Sequence, residues 1–346
     1  MTGPWITTII PTYRRPKLLK RAIRSVLNQT YSYFQVCIYD NASGDGTAEV
    51  VAEFTKQDPR VKYYCHPANI GGLANFNYGM SQVETPYFSF LSDDDILLPD
   101  FYEGAIRGFD EHADALFSAG SVISMTHRGE ILGSQLSLWP RDGYYTPPEG
   151  LFRMIEIEHP TWTGVLFRKE VIQRIGLLDQ EVGALVDMDF ELRIAALSPF
   201  VISRKPCAIF VYHPSSFCSL MDLHHIWPGW LKIISNLTED KRIPPHVRAR
   251  AEEALTRRLI SSLFGTGLIV RKEFEQAYRA AEILRANYNQ TKKAAVLYTI
   301  TKLCEHFPPA FFLLVGRSRI RLAIRWIKSQ ILKKQLGDYS RFLKLP

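Results

Sequence analysis

Residues 87–95 have the sequence Tyr87-Phe88-Ser89-Phe90-Leu91-Ser92-Asp93-Asp94-Asp95, an apolar run followed at once by three carboxylates. The apolar part is typical of a buried strand, so the acids stand where that strand ends. Adjacent anions repel one another and resist burial, and a shared divalent cation such as Mg²⁺ or Mn²⁺ relieves both effects. A solvated turn, with Asp95 or Asp100 capping the next helix, is the simpler alternative.

The preceding residues repeat a strand, loop and helix pattern. Strands are predicted over 6–10, 34–39, 61–65 and 87–91, and helices over 17–28, 48–56 and 73–81. Alternation of this kind is typical of an α/β fold with a mostly parallel central sheet. Because the carboxyl ends of such strands share one edge, we expect the polar loops there to gather the chemistry.

Composition limits the classes of protein that this chain can be. Its 346 residues predict about two domains, and 46% hydrophobic content is ordinary for a globular protein. Five scattered cysteines without a C-x-x-C pair favour neither a disulfide framework nor a zinc site, which suits a reducing cytoplasm. With neither a secretory leader nor a long apolar span in the sequence, we expect a protein that is neither secreted nor integral to a membrane.

Charge is distributed unevenly along the chain. Residues 225–346 carry 23 Lys and Arg against 9 Asp and Glu, a net charge of +14, whereas residues 1–224 have a net charge of −7. An acidic front half suits a metal site. A basic back half suits phosphate, an anionic membrane surface or nucleic acid.

The loop after the second predicted strand begins with Asp40 and Asn41 and contains two glycines. Such a turn lets Asp40 face a ligand, and a carboxylate can accept a hydrogen bond from the N3–H of uracil or thymine. An Asx turn that only ends the strand is the alternative. The glycine spacing fits neither a dinucleotide fingerprint nor a phosphate-binding P-loop, so we exclude dehydrogenases and P-loop NTPases.

Taken together, the motifs resemble those of family 2 inverting glycosyltransferases, which have the GT-A fold. The resemblance covers roughly residues 5–215 and rests on four motifs in order: Pro11-Thr12-Tyr13-Arg14, Asp40 to Thr47, Asn69-x-Gly71 with Asn77-x-Gly79, and Ser92-Asp93-Asp94-Asp95. It implies a GT-A catalytic domain over 1–224, with a donor half to about 110 and an acceptor half beyond it, and a basic helical region over 225–346.

The resemblance also implies roles for the residues of the donor half. A nucleotide-diphosphate sugar would be bound by Pro11, Thr12, Tyr13, Asp40, Asn69 and Asp93. Asp94 would hold Mn²⁺ or Mg²⁺, and Asp95 would support its neighbours. The usual first aspartate of the acidic motif is Ser92 here, which places more weight on Asp93 and Asp94.

Inverting transfer needs a general base that takes the proton of the acceptor hydroxyl. The family motif matches Val186-Asp187-Met188-Asp189-Phe190-Glu191-Leu192-Arg193, which implies Asp187 as the base and Asp189 and Arg193 as supports. The acid that usually precedes the base is replaced by Val186. A helix N-cap is the alternative role of Asp187.

Three further residues are candidates on the acceptor and metal sides. Trp162 and Thr163 occupy the place where relatives build the acceptor floor, although a tryptophan also suits the core. His213 resembles the family histidine that lies near the diphosphate and is a candidate metal ligand. An ordinary surface histidine is the alternative.

Helices are predicted over 247–264, 272–287 and 294–306, followed by a basic amphipathic segment. There Arg317, Arg321, Arg325 and Lys328 share one face, and Ile320, Ile324, Ile327 and Ile331 share another. This pattern predicts contact with an anionic membrane surface, with packing of the isoleucines on the catalytic domain as the alternative. Arg325-Trp326 is similar to the signature of processive synthases, but Leu322 replaces its glutamine, so we expect a non-processive enzyme.

The sequence therefore predicts a metal-assisted, inverting transfer of one sugar from a UDP- or dTDP-sugar to a glycan or lipid-linked acceptor. We expect a cytoplasmic protein, peripheral at the inner face of the membrane. A catalytically silent GT-A-like binding module is one alternative. A nucleic-acid-binding protein is another, but no recognition motif accompanies the basic helices, and no nucleic-acid partner is expected.

Overall fold

The computed structural model describes residues 5–136, 139–213, 223–265, 267–311, 313–314, 330–331, 333–334, 337 and 339–344. Within these ranges the strands are β1 Ile6–Thr12, β2 Phe34–Asp40, β3 Val61–Cys65, β4 Tyr87–Phe90, β5 Ile96–Leu97, β6 Phe117–Thr126, β7 Ile131–Ser134, β8 Gly143–Tyr145, β9 Val165–Arg168 and β10 Phe200–Tyr212.

Helices connect and cover these strands. In the described part of the chain they are α1 Pro16–Leu27, α2 Thr47–Gln57, α3 Gly72–Ser81, α4 Phe101–Glu111, α5 Glu149–Glu156, α6 Glu170–Ile175, α7 Val186–Leu197, α8 Leu223–Glu239, α9 Pro245–Leu263, α10 Gly267–Val270, α11 Phe274–Ala286 and α12 Thr291–His306. Short 3-10 turns cover Trp162–Gly164, Gln180–Leu185 and Ser340–Lys344.

The central sheet has the strand order β3-β2-β1-β4-β9-β6-β10-β5, with β7 beside β6 and β8 beside β10. The first four strands of this order pair in parallel, as do β6 and β10, whereas β9 runs antiparallel between β4 and β6. The predicted α/β fold with a mostly parallel sheet is confirmed, and antiparallel strands make the sheet mixed.

The sheet and its helices share buried apolar faces. All seven residues of β1 are buried because the strand lies between β2 and β4. Helix α1 buries Leu19, Ile23 and Val26, which recur at helical spacing on one face. Pro16 begins that helix, at a position where its missing N–H costs no hydrogen bond.

The helical region begins close to the predicted boundary at residue 224. Helix α8 lies against the 3-10 turn Gln180–Leu185, and a Cβ added at Gly229 would come within 2.2 Å of the Val182 carbonyl oxygen. Only glycine allows this approach. Trp230 and Ile233 then join the same buried cluster as Phe190 of α7. The division of the chain into two domains stays a prediction.

The end of the chain returns to the sheet. Tyr339, Phe342 and Leu343 pack on the buried cluster that contains Ile96 and Val211. Of the predicted basic amphipathic segment, Ile331 is described, and its arginines, Lys328 and other isoleucines lie outside the described residues. Among the described helices, none is both long and apolar enough to cross a bilayer.

Candidate active site

Polar loops follow neighbouring parallel strands at one edge of the sheet. Thr12 at the end of β1 is in register with Asp40 at the end of β2, and the N–H of Asn41 donates to the Thr12 carbonyl at 3.0 Å. The acidic motif follows β4, which pairs with the other side of β1. The topology therefore brings these three loops to one edge, as the sequence predicts.

Asp93 and Asp94 lie together beneath this edge. Asp93 is 5% exposed and accepts hydrogen bonds from the Thr12 hydroxyl at 2.8 Å and from Nη1 of Arg15 at 3.2 Å. The same Nη1 lies 2.9 Å from Oδ2 of Asp94. One guanidinium thus bridges both acids and offsets part of their repulsion.

Burial and the neighbouring Asp94 raise the pKa of Asp93 to about 6, although Arg15 and Thr12 act in the opposite direction. The carboxylate form of Asp93 is therefore costly while no further cation is near it. A divalent ion or a cationic side chain at this edge would favour the ionised form.

Asp95 is held on the other side of the motif. The Thr163 hydroxyl donates to its Oδ2 at 2.7 Å and the N–H of Val211 donates to its Oδ1 at 3.0 Å. Burial raises its pKa well above the usual range. Asp95 therefore links the acidic motif to β10 and to the turn at Trp162–Gly164.

His213 directly follows β10, and its Nε2 lies 2.9 Å from Oδ2 of Asp94. Within the described ranges, no three His, Cys, Asp or Glu side chains come together as a metal cage. A carboxylate oxygen nevertheless suits Mn²⁺ or Mg²⁺, and an imidazole nitrogen is a common ligand of divalent transition metals. Asp94 and His213 therefore fit a divalent ion whose remaining ligands come from substrate and water.

Asp40 is 2% exposed, and both of its carboxylate oxygens already accept hydrogen bonds. Oδ1 accepts from the N–H of Ser43 at 3.0 Å and from its hydroxyl at 2.5 Å, and Oδ2 accepts from Tyr63 at 2.7 Å. The Asx turn that the sequence left open is thus present. A base contact would use the remaining lone pairs of Asp40 or replace one of these partners.

Asn69 and Tyr13 lie on the loops around Asp40. The Asn41 amide donates to the Asn69 side chain at 2.9 Å, which fastens the loop after β3 to the loop after β2. Tyr13 is 38% exposed, with Arg14 stacked 5.0 Å from its ring centroid. An exposed ring at this edge can lie along a nucleobase, whereas Pro11 is buried within β1.

Asp187 is the second residue of α7, whose N-cap is Leu185. Its Oδ1 accepts from the N–H of Met188 at 2.8 Å, and the side chain is partly exposed. The N-cap role that the sequence left open for Asp187 is therefore not the role that the structure shows. An unburied carboxylate in the first helical turn remains available to a hydroxyl group.

The buried Asp189 and the partly buried Arg193 form an ion pair one turn apart on α7, with Nε and Oδ2 separated by 2.7 Å. Arg193 also donates to the carbonyl of Ile175 at 3.0 Å, and Asn236 of α8 donates to Asp189 at 2.9 Å. These bonds fix α7 against α6 and α8. The sequence had no signal for Asn236, because its partner is 47 residues away.

Trp162 and Thr163 differ in their surroundings. Trp162 is partly buried, with its ring centroid 4.5 Å from that of Phe76 and 5.1 Å from that of Phe90. Thr163 is fully buried and donates to Asp95. Contact of Thr163 with an acceptor stays a prediction, and this burial favours a supporting role instead.

Comparison with known proteins identifies the family. The model of glycosyl transferase family 2 matches residues 7–176, which contain the four donor motifs and the acidic site described above. Residues 7–176 of this chain belong to glycosyl transferase family 2. The match stops short of Asp187, so the family model does not cover the candidate base.

The chain is similar to several glycosyltransferases over part of its length. It is 36% identical over 96 residues to the Campylobacter jejuni GalNAc(5)-diNAcBac-PP-undecaprenol beta-1,3-glucosyltransferase, covering 28% of this chain and 31% of the relative. An uncharacterised Haemophilus influenzae glycosyltransferase is 33% identical over 142 residues, or 40% of this chain and 53% of the relative. The chain thus spans at most about half of these relatives' lengths.

Solved structures confirm the GT-A glycosyltransferase fold. The structure of S. aureus TarS 1–349 with UDP-GlcNAc has a TM-score of 0.64 at 16% identity, covering 96% of this chain and 93% of that one. A Pyrobaculum calidifontis mannosyltransferase with GDP-Man and Mn²⁺ has a TM-score of 0.52 at 16% identity, covering 96% and 87%. At this identity the likeness concerns the fold.

Proposed function

We propose that this family 2 protein transfers one sugar, with inversion, from a UDP- or dTDP-sugar to a glycan or lipid-linked acceptor. The observation that carries the proposal is the contact of Asp94 with His213 at 2.9 Å, beside the loops of Thr12 and Asp40. These groups suit a nucleotide diphosphate and its counter-ion. The UDP-GlcNAc complex of TarS supports a nucleotide sugar as the donor class.

On the donor side, each loop has a separate task. Tyr13 would lie along the base, Asp40 and Asn69 would fix the loops around it, and Asp93 would reach the ribose. Asp94 and His213 would hold Mn²⁺ or Mg²⁺, and the ion, when bound, would neutralise the charge that develops on the departing diphosphate. The Mn²⁺ complex of the P. calidifontis enzyme supports this choice of ion.

On the acceptor side, Asp187 would take the proton of the attacking hydroxyl group. The loop 159–163 connects α7, the helix that carries Asp187, to the acidic motif, because Thr163 bonds to Asp95 and His159 bonds to Glu191 of α7. Trp162, between them, would form part of the acceptor floor. Asp189 and Arg193 would keep α7 in place.

The acceptor class and the location rest on further arguments. The C. jejuni relative is named for an undecaprenol-linked substrate, which supports a lipid-linked acceptor here. Residues 225–346 contain 23 basic and 9 acidic residues, and this net charge of +14 supports contact with an anionic membrane at its cytoplasmic face. A domain boundary near residue 224 would separate this membrane-facing part from the catalytic part.

The test is release of UDP from UDP-sugars in the presence of Mn²⁺. We expect slow hydrolysis by the wild-type protein and a loss of at least about 100-fold in Asp187→Asn, the usual range for removal of a general base. Asp187→Asn should still bind UDP, because the substitution leaves the donor loops intact. Binding of UDP without any hydrolysis or transfer would favour the silent binding module instead.

A further inference from the structure

One side of helix α1 carries polar residues at a regular spacing. Arg21, Ser25 and Gln29 follow one another at intervals of four residues, so Arg21 and Ser25 share a helix face and Gln29 continues it just beyond Leu27. Ser25 and Gln29 are 1% and 8% exposed, and Arg21 is partly buried. Buried polar side chains need hydrogen-bond partners, and all three residues have partners in the backbone of residues 94–102.

Ser25 and Gln29 fix the backbone that follows the acidic motif. Oγ of Ser25 accepts from the N–H of Leu97 at 3.1 Å. The side-chain amide of Gln29 donates to the Leu98 carbonyl at 2.6 Å and accepts from the N–H of Tyr102 at 3.1 Å. Strand β5 in this segment has two residues and two pairs with β10, so side chains of α1 supply hydrogen bonds that a longer strand would obtain from its ladder.

Arg21 contacts the acidic motif itself. Its Nη2 donates to the carbonyl oxygen of Asp94, the residue whose carboxylate lies beside Arg15 and His213. A hydrogen bond from a guanidinium is charge-assisted and therefore stronger than one between neutral groups. A fixed carbonyl restricts the backbone torsion angles of Asp94, and these angles decide which side-chain rotamers are allowed. Arg21 thus acts on the place of the carboxylate through the backbone.

A contribution to stability alone explains this guanidinium poorly. Within the described residues, the buried Nε of Arg21 has no hydrogen-bond partner. Burial lowers the pKa of Arg21, whereas the charges of Asp95 and Asp94 act in the opposite direction. A buried donor without a partner costs free energy, and an apolar side chain at this position would avoid that cost. What Arg21 provides in return is the hydrogen bond to Asp94.

We propose that Arg21 is a positioning residue for Asp94, whose backbone it fixes so that the carboxylate can bind a divalent cation. This inference rests on the proposed function, in which Asp94 binds Mn²⁺ or Mg²⁺. Because Arg21 bonds to the carbonyl, it does not occupy the carboxylate oxygens that the cation needs. Groups that orient a metal ligand in this way commonly affect metal affinity without touching the metal.

The charge of Arg21 and its position act on cation binding in opposite directions. A guanidinium near Asp94 repels a divalent cation, so loss of the charge alone would favour binding. Arg21→Lys separates the two effects, because lysine keeps the charge but ends one bond short of Nη2. If this variant does not fold, Arg21→Gln replaces it, and weaker binding would then occur against the effect of the lost charge.

The same substitution at Arg24 is the matched control. Arg24 is on the same helix and is also partly buried, but its guanidinium lies over the ring of Phe54, 5.7 Å from the centroid. Arg24→Lys, or Arg24→Gln beside Arg21→Gln, therefore changes α1 in the same way away from the contact with Asp94. A difference between the two positions reports that contact.

The first test needs neither metal nor substrate. Hydrogen exchange is followed by NMR at the amides of β1 and at Asp95, whose N–H donates to the Ser92 carbonyl at 3.1 Å. Arg21→Lys should speed exchange at Asp95 by about tenfold, because a hydrogen bond to a charged group is lost. The amides of β1 should exchange as in wild type, and Arg24→Lys should change neither. Equal acceleration at Asp95 and β1 would indicate a purely structural role and overturn the inference.

The second test is calorimetric titration with UDP, with and without excess Mn²⁺. In Mn²⁺, Arg21→Lys should bind UDP about tenfold more weakly than wild type and Arg24→Lys should bind it equally well. Without Mn²⁺, all three proteins should have the same affinity. Wild-type affinity of folded Arg21→Lys in Mn²⁺ overturns the inference alone. Wild-type affinity of Asp94→Ala in Mn²⁺, or no effect of Mn²⁺ on wild type, overturns the proposed metal site and this inference with it.

Discussion

Nη1 of Arg15 lies 2.9 Å from Oδ2 of Asp94, the carboxylate oxygen that Nε2 of His213 also approaches at 2.9 Å. A cationic side chain thus occupies the position beside Asp94 that we propose for a metal ion. Arg15 also contacts Asp93 at 3.2 Å, so it partly neutralises both acids. A metal ion bound at Asp94 would therefore have to displace this guanidinium or share the carboxylate with it.

The first prediction concerns nucleotide and metal binding together. UDP with Mn²⁺ should raise the melting temperature of the wild type. At a hundredfold excess of ligand over Kd, the expected gain in the free energy of unfolding is about 2.7 kcal/mol. Asp94→Ala should abolish the metal-dependent part, because it removes a proposed ligand. Asp142→Ala, which removes an exposed partner of Arg204, is the control. Full metal-dependent stabilisation of Asp94→Ala would contradict the site assignment.

The second prediction concerns Arg15 itself. Arg15→Gln should lower stability without metal by about 1 kcal/mol, because Asp93 and Asp94 lose a shared cation. Added Mn²⁺ should then stabilise this variant more than it stabilises the wild type. Thermal denaturation with and without Mn²⁺ measures both effects. Equal metal responses of the two proteins would mean that Arg15 does not compete with the ion.

Local sequence patterns predicted much of the fold. The strand predicted over 61–65 is β3 with the same bounds, because its apolar residues lie in one short run. Strand β10 is less apparent in the sequence, where only residues 209–212 form an apolar run, although the strand begins at Phe200. Arg204, Lys205 and Pro206 interrupt the apolar pattern, and the pairing with β6 shifts its register beside Pro206. A bulge of this kind hides a strand from pattern analysis.

The site was predictable where its residues are neighbours in sequence. Asp93 and Asp94 drew attention because adjacent acids at a strand end are costly to bury. The contact of Arg15 with Asp94 spans 79 residues, and that of His159 with Glu191 spans 32. Neither pair has a local pattern, since tertiary packing alone brings the partners together.

The third prediction is a pH dependence of stability. The pKa values of His159 and Glu191 in the folded protein, about 9 and about 8, lie above their ordinary values of 6.5 and 4.5. The folded state therefore binds more protons than the unfolded chain, and stability should fall as the pH rises from about 6.5 to 8. Melting temperatures across this range should decline less steeply in Glu191→Gln than in wild type. An equal decline in both proteins would mean that the buried pair does not cause the pH dependence.

The fourth prediction tests the support of the acidic motif. Thr163→Val keeps the shape of the side chain but removes the hydrogen bond to the buried Asp95. This loss should lower the free energy of unfolding by about 1–3 kcal/mol. Thr55→Val is the matched control, since Thr55 is exposed on α2 and donates to the carbonyl of Ala52 in the same helix. Thr55→Val should change the free energy of unfolding by no more than about 0.5 kcal/mol. Denaturant unfolding of the two variants measures the difference, and equal effects would argue against a supporting role for Thr163.

The fifth prediction concerns the membrane. Replacing Arg317, Arg321, Arg325 and Lys328 with glutamine should release the protein from anionic vesicles in a flotation assay, because each basic residue near such a surface contributes about 1 kcal/mol. This variant keeps Tyr339 and Phe342, which pack on the sheet and would be lost by truncation.

The matched control removes the same number of charges from exposed positions of α11 and α12, namely Arg285, Lys292, Lys293 and Lys302. If binding depends on the amphipathic segment, the control should still float with the vesicles. Equal release of both variants would instead indicate a general charge effect. Retention on DNA but not on vesicles would favour a nucleic-acid partner. The two assays need the same salt concentration, because phosphate contacts depend steeply on salt.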